Sequence, residues 1–176
     1  MLKEENYFNL LDLPVAFDVD LQLLTEHYRL LQKAVHPDKF ANSSDQERLV
    51  AVQKASLVNE AYEVLKSPIS RARYLLSLHG MVPNDNDTIS DPSFLMQQME
   101  IRESLEAASA QEDPLTATED VMDDIENMFK GILDEIATLF RLNYPELEKI
   151  SHLVLQLHFF GRLRNEAETQ LAKLDH

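Results

Sequence analysis

Apolar residues recur along this chain at helical spacing, and breaks in that spacing mark where helices start and stop. Asn6 to Leu13 is a short apolar stretch closed by Pro14, which ends a helix or begins a turn. Asp18 or Asp20 can cap the next helix, whose apolar positions are Leu21, Leu24, Tyr28, Leu31 and Val35. That helix must stop near His36, because Pro37 disfavours helical geometry in the residue before it. Ser43 or Ser44 opens the following long helix, and Glu47, three residues after Ser44, completes a capping box. Its expected inward stripe is Leu49, Val52, Ser56, Asn59, Tyr62 and Leu65, ended by Ser67-Pro68. A shorter helix runs from Ser70 to His79 and is stopped by Gly80.

Residues 81–92 carry two prolines and no periodicity, which predicts a linker. A second helical set follows it. One helix spans 93–110, beginning after Asp91-Pro92, with Ser93 as a candidate cap. Another runs from about Thr116 to Leu142, with Val121, Ile125, Met128, Ile132, Ile136 and Leu139 on one side. The last begins near Pro145, a favourable first-turn residue, and continues to about Leu174. Three amphipathic helices joined by short connections predict an antiparallel bundle.

Composition narrows the function classes. The formal net charge is −15, which argues against a nucleic-acid partner and against docking on an anionic membrane, since both need excess positive charge. The absence of cysteine removes disulfides, thiol catalysis and cluster ligation by the chain itself. There is no apolar run of membrane-spanning length and no signal-peptide pattern in MLKEENYF, so the expected location is cytoplasmic. Only three glycines are present and no phosphate-loop motif occurs, so no cofactor is expected. His152 and His158 are out of phase on a helix, His36 and Asp38 supply too few ligands, and His79 adjoins a helix end, so no metal site is expected. The paired carboxylates Asp123-Asp124 and Glu112-Asp113 lie in no apolar setting suited to acid–base work, and the chain does not read as an enzyme. Charge is uneven, with net −2 over residues 1–80 and net −13 over 81–176.

The most informative segment is Val35-His36-Pro37-Asp38-Lys39-Phe40, between the second and third helices. By physics alone His-Pro-Asp is a helix-stopping tripeptide. Its context adds weight: an amphipathic helix with Arg29 and Lys33 on its outer side precedes it, and a long helix with Asn59-Glu60-Ala61-Tyr62 follows. This arrangement resembles a J domain, the module that stimulates ATP hydrolysis by seventy-kilodalton heat-shock chaperones. The resemblance implies that His36, Pro37 and Asp38 engage the chaperone, with Arg29, Lys33 and Lys39 contributing charge. The loop would favour the partner's hydrolysis-competent state by binding it more tightly. An aspartate suits that role because a partner arginine can pair with it.

Projecting helix 93–110 at about 100° per residue groups Phe94, Ile101, Leu105 and Ala108 on one side. Leu95, Met96 and Met99 fall on the other, flanked by Glu100 and Glu103. A helix with two apolar faces is either buried on both or keeps one for a partner. In the last helix Ile150, Leu153, Leu157, Phe160, Ala167 and Leu171 form one stripe, while Leu155 and Phe159 point away from it.

The full order is similar to the HscB family, the J-domain co-chaperones of iron–sulfur cluster assembly, in their bacterial form. The stretches that carry the similarity are His36–Phe40 with Ala41, Arg71-Ala72-Arg73-Tyr74-Leu75-Leu76-Ser77-Leu78-His79-Gly80, Phe94-Leu95-Met96 and Arg102-Glu103. It implies an all-α fold: a J domain over residues 1–80 built on a helical hairpin with the His-Pro-Asp loop, a linker over 81–92, and an antiparallel three-helix bundle over 93–176. It also implies two partners, a heat-shock chaperone of the HscA type and an iron–sulfur scaffold protein of the IscU type. The scaffold would be bound by Leu95, Met96, Met99, Glu100, Glu103 and Phe159. Leu155 joins that set on projection alone. Ala107 departs from the family's pattern, in which an acidic residue is frequent. The alternative function is a general J-domain co-chaperone that delivers unfolded clients.

Overall fold

Local rules set most helix ends in the computed structural model, which describes residues 6–40, 43–82 and 91–174. Helix α1 (Tyr7–Leu10) is capped by Asn6, whose side chain accepts from Asn9 N–H at 2.9 Å. It ends with Leu13 N–H bonded back to the Phe8 carbonyl at 2.8 Å and Asp12 at φ 52°, the left-handed turn that satisfies a helix's last carbonyls. Asp20 caps α2 (Leu21–Val35) by accepting from the N–H groups of Gln22 and Leu23. Helix α3 (Asp45–Lys66) opens with the expected reciprocal box: Ser44 Oγ accepts from Glu47 N–H, and Glu47 Oε2 accepts from Ser44 N–H at 2.9 Å. Ser67 stands extended before Pro68, which opens α4 (Pro68–Leu78).

In the second half Asp91, not Ser93, caps α5 (Pro92–Ala108), because Pro92 takes the first helical position and fixes the start. Asp113 and Pro114 repeat this device at α6 (Pro114–Phe140). Helix α7 (Leu147–Leu174) completes the set. Residues 83–90, most of the expected linker, lie outside the described residues. Among the described residues there is no strand, and no helix is long and apolar enough to cross a membrane.

The chain divides into two compact units, Met1–Leu78 and His79–His176. In the first, α2 and α3 form an antiparallel hairpin: Tyr28 meets Asn59, and Thr25, one turn earlier on α2, meets Tyr62, one turn later on α3. Phe8, Leu11, Leu24, Ala61, Leu65, Ala72 and Leu76 are fully buried between the helices. The inward face of α3 differs from the expected stripe. Ala51, Val58, Ala61 and Leu65 are buried, whereas Leu49, Val52, Ser56 and Asn59 are exposed. Alanines at the contact let backbones approach closely, and this small-residue seam is underweighted when large aliphatics are counted. On α2, Leu21 is likewise exposed and Leu24 supplies the buried anchor.

In the second unit side-chain pairings give the helix directions. Gln170, Arg164 and Lys149 of α7 pair with Thr118, Glu126 and Glu135 of α6, so these helices are antiparallel. Gln97 of α5 reaches Met128 of α6, and Leu105 shares Gln170 with Thr118, so α5 and α6 are antiparallel too. The core is Ile125, Ile136, Ile150, Val154, Leu157, Phe160 and Leu163. Each such side chain contributes about 1.5–3 kcal/mol of apolar burial. Gln170 Nε2 donates to the Leu105 carbonyl and to Thr118 Oγ1, both at 3.1 Å, so one amide ties three helices at one end of the bundle.

Candidate functional site

The first site is the loop that ends α2. His36 leaves the helix at φ −59°, ψ 128°, as the proline after it requires. A single 3₁₀ turn, Pro37–Phe40, follows, and Lys39 N–H donates to the His36 carbonyl at 3.0 Å. Asp38 N–H points at His36 Nδ1 at 3.3 Å, and Asp38 Oδ2 lies 3.5 Å from the same nitrogen. The turn thus holds imidazole and carboxylate side by side, with His36 54% and Asp38 90% exposed. Arg29 and Lys33, one turn apart, are exposed on α2, and Lys39 is exposed in the turn. His36, Pro37, Asp38 and Lys39 thus share the turn, while Lys33 is in the last turn of α2 and Arg29 one turn earlier. Of the resemblance stretches, Ala41 lies outside the described residues.

The segment Asn59-Glu60-Ala61-Tyr62 braces this hairpin. Asn59 Oδ1 accepts from the Tyr28 hydroxyl at 3.0 Å, and Tyr62 stacks on Tyr28 with ring centroids 4.0 Å apart. Glu60 accepts from the Tyr7 hydroxyl at 2.7 Å. That bond, with partial burial and the carboxylate's charge, pushes the Tyr7 phenol up to about 12. Arg71 and Tyr74 have structural roles as well. Arg71 is buried, donates through Nη1 to the Leu65 carbonyl at 2.6 Å, and lies 5.2 Å from the Phe17 ring centre. Burial holds its pKa below the ordinary guanidinium value. Tyr74 stacks on Tyr7 at 4.4 Å and accepts from Tyr7 N–H at 2.9 Å. The Arg-Ala-Arg-Tyr-Leu-Leu segment is thus internal bracing for the first unit.

The second site is the outward face of α5. Phe94, Ile101, Leu105 and Ala108 are buried, as the projection requires. Leu95, Met96 and Met99 are 44%, 63% and 62% exposed, and Glu100 and Glu103 beside them are exposed too. Phe159 is half-buried: its ring meets Phe94 edge-on at 5.8 Å and Phe160 at 6.3 Å. Leu155 departs from the expectation of an outward position. It is only 9% exposed, and Leu153, Val154 and Leu157 around it are buried as well. Leu153, Val154 and Leu155 project at about 100° intervals, so this stretch of α7 is buried around most of its circumference. Arg102 is a site residue that the sequence reading leaves without a role. Its guanidinium lies 5.6 Å from the Phe159 ring centre and 3.9 Å from Glu166. Its position on the helix, about 80° from Phe94 and beside Leu95, was the available signal.

Among the described residues no group of three or more histidines and carboxylates is placed to hold a metal ion.

Comparison with known proteins identifies a family for each of the two domains. Residues 6–74 match the DnaJ domain family, and residues 90–168 match the family described as the HSCB C-terminal oligomerisation domain. The co-chaperone protein HscB homolog of Shewanella woodyi is 43% identical over 165 residues, covering 93% of this chain and 95% of that protein. The homolog of Vibrio vulnificus (strain YJ016) is 42% identical over 170 residues, covering 96% and 98%. The structure of chaperone HscB from Vibrio cholerae superposes with a TM-score of 0.88 at 39% identity, covering 97% of this chain and 99% of that one. The crystal structure of human co-chaperone protein HscB gives a TM-score of 0.85 at 30% identity, covering 95% and 82%. An all-α chain with a J domain, a matching second domain and relatives of this identity over nearly its whole length belongs to the HscB family of co-chaperones.

Proposed function

We propose that this protein is an adaptor in iron–sulfur cluster assembly, which stimulates the ATPase of an HscA-type chaperone and delivers an IscU-type scaffold to it. The observation that carries the reading is an exposed apolar face on α5 in one unit alongside an exposed charged loop in the other. Apolar side chains kept in water beside glutamates suit a folded partner's surface, since unpaired carboxylates resist being packed into a core. Leu95, Met96, Met99 and the edge of Phe159 supply the grip. Glu100 and Glu103 select a partner with complementary charge. The chain has no cysteine, so the cluster, as cargo, stays on the scaffold.

At the other site Arg29, Lys33 and Lys39 attract an acidic chaperone surface, and Asp38 offers its carboxylate to a cationic side chain. Stimulation follows if the loop binds the hydrolysis-competent chaperone more tightly than the resting one. Holding both partners on one chain raises their effective concentration for each other. The working compartment on this reading is the cytoplasm, where thiols stay reduced.

The test is His36→Gln, which removes the imidazole from an exposed loop and touches no core contact. We expect loss of chaperone ATPase stimulation with scaffold affinity unchanged. Normal stimulation by this variant overturns the role of the loop. Preferential binding of the wild-type chain to unfolded proteins over the folded scaffold would favour a general client-delivering co-chaperone instead.

A further inference from the structure

The chain holds six methionines and no cysteine, so thioethers are its only sulfur groups. Among the described residues, Met96 and Met99 are the exposed ones, at 63% and 62%. Met81, Met122 and Met128 are half-buried, and Met128 Sδ also accepts from Gln97 Nε2 at 3.5 Å. Met96 and Met99 are three apart on α5 and share its outward face with Leu95. Accessibility decides which sulfur an oxidant reaches.

We propose that Met96 and Met99 are an oxidant-responsive modification site, and that their conversion to sulfoxide by hydrogen peroxide in the unbound chain blocks docking of the scaffold on α5. This switch rests on the scaffold-binding role given above to the same face. In the step, the thioether sulfur attacks one peroxide oxygen. An S–O bond forms and the O–O bond breaks. The sulfur loses two electrons, and the departing hydroxide takes the remaining hydroxyl proton and leaves as water. Reversal, a two-electron reduction that returns the oxygen as water, requires thiol-dependent methionine sulfoxide reductases.

The effect on docking follows from the new dipole. A sulfoxide oxygen is a strong acceptor and must find a donor when covered. Glu100 and Glu103, its neighbours on the helix, only accept when ionised. Arg102 is already held over the Phe159 ring and against Glu166. The oxidised face therefore enters an apolar contact with unsatisfied oxygens, while the helix beneath, whose core residues are on the opposite side, keeps its packing.

The experiment treats the purified full-length chain with hydrogen peroxide and maps sulfoxide by peptide mass spectrometry. Affinity for the purified IscU-type scaffold of the same organism is then measured by calorimetry. We expect Met96 and Met99 to be modified ahead of Met81, Met122 and Met128. We expect scaffold affinity to fall at least about tenfold, with chaperone ATPase stimulation in the absence of scaffold unchanged. Met96→Leu with Met99→Leu keeps apolar volume and cannot be oxidised, so its affinity should be the same before and after peroxide. Equal affinity of the doubly oxidised and untreated chains overturns the switch and leaves the scaffold role standing. A peroxide-induced loss that persists in the leucine variant also overturns it. An untreated chain that fails to bind the scaffold removes the scaffold role and the switch together.

Discussion

Replacing Leu95, Met96 and Met99 together by alanine separates a binding face from a core face, because the structure sets the size of both effects. Full burial of a leucine or methionine side chain is worth about 1.5–3 kcal/mol. Leu95 is 44%, Met96 63% and Met99 62% exposed, and that exposed share is what a docking partner can still cover. Scaled this way, the two methionines offer about 1–2 kcal/mol each and Leu95 about 1 kcal/mol. Alanine retains one methyl at each site, so we expect a binding loss of about 3 kcal/mol, on the order of a hundredfold in Kd. The share already buried sets the stability cost. It is smaller, about 2–3 kcal/mol in total after alanine's retained methyl, and alanine's helix propensity offsets part of it. For a chain of this size that lowers Tm by about 4–12 °C, leaving the protein folded at ordinary assay temperatures. The assay is calorimetric titration with the IscU-type scaffold, paired with a thermal melt followed by far-ultraviolet circular dichroism. A folded variant whose affinity changes less than about threefold refutes the grip. A Tm drop far beyond this range, like that of three core truncations at about 2–5 kcal/mol each, refutes the reading of these residues as surface.

Two further outcomes test the architecture. Gln170→Ala removes the donor shared by the Leu105 carbonyl and Thr118 Oγ1, so the bundle should lose about 1–2 kcal/mol, read as a lower Tm with scaffold affinity retained; an unchanged Tm shows that this amide does not tie the helices. Tyr7, held up to about 12 chiefly by its hydrogen bond to Glu60, should ionise after an ordinary phenol. Because its folded pKa is raised, its stabilising contribution is fully present below the usual phenol value of about 10. That contribution disappears as pH climbs through about 12. The difference between ultraviolet tyrosinate titrations of the wild type and Tyr7→Phe gives its midpoint directly, and a midpoint near 10 contradicts the Tyr7–Glu60 bond.

Local signals survived translation into structure where a short-range rule decides. Ser44 with Glu47 forms its box, and Pro37 stops α2 at His36. On α5, Phe94, Ile101 and Leu105 are large and regularly spaced, so both its buried and its exposed face were legible. What failed depends on neighbours the pattern does not contain. The buried seam of α3 runs through Ala51, Val58 and Ala61, because the helices come close there, while Leu49 and Val52 stay in water. Leu155 is buried on the side of α7 that a projection of that helix alone turns outward, and the projection contains nothing about what packs there. Arg71 is easily read as surface charge, yet it is buried against Leu65 and Phe17. Phe159 lies between the two outcomes, with one edge available and the rest of its ring packed on Phe94 and Phe160.

On the proposed function, one chain holds chaperone and scaffold at once. The direct measurement is the scaffold-dependent rise in chaperone ATPase, compared between the wild-type chain and an equimolar mixture of His36→Gln with the Leu95→Ala, Met96→Ala, Met99→Ala variant. In that mixture each activity is present, but on separate molecules. The adaptor account expects the wild type to give a rise that the mixture does not. A mixture that matches the wild type would show that the two surfaces act independently and would contradict the account.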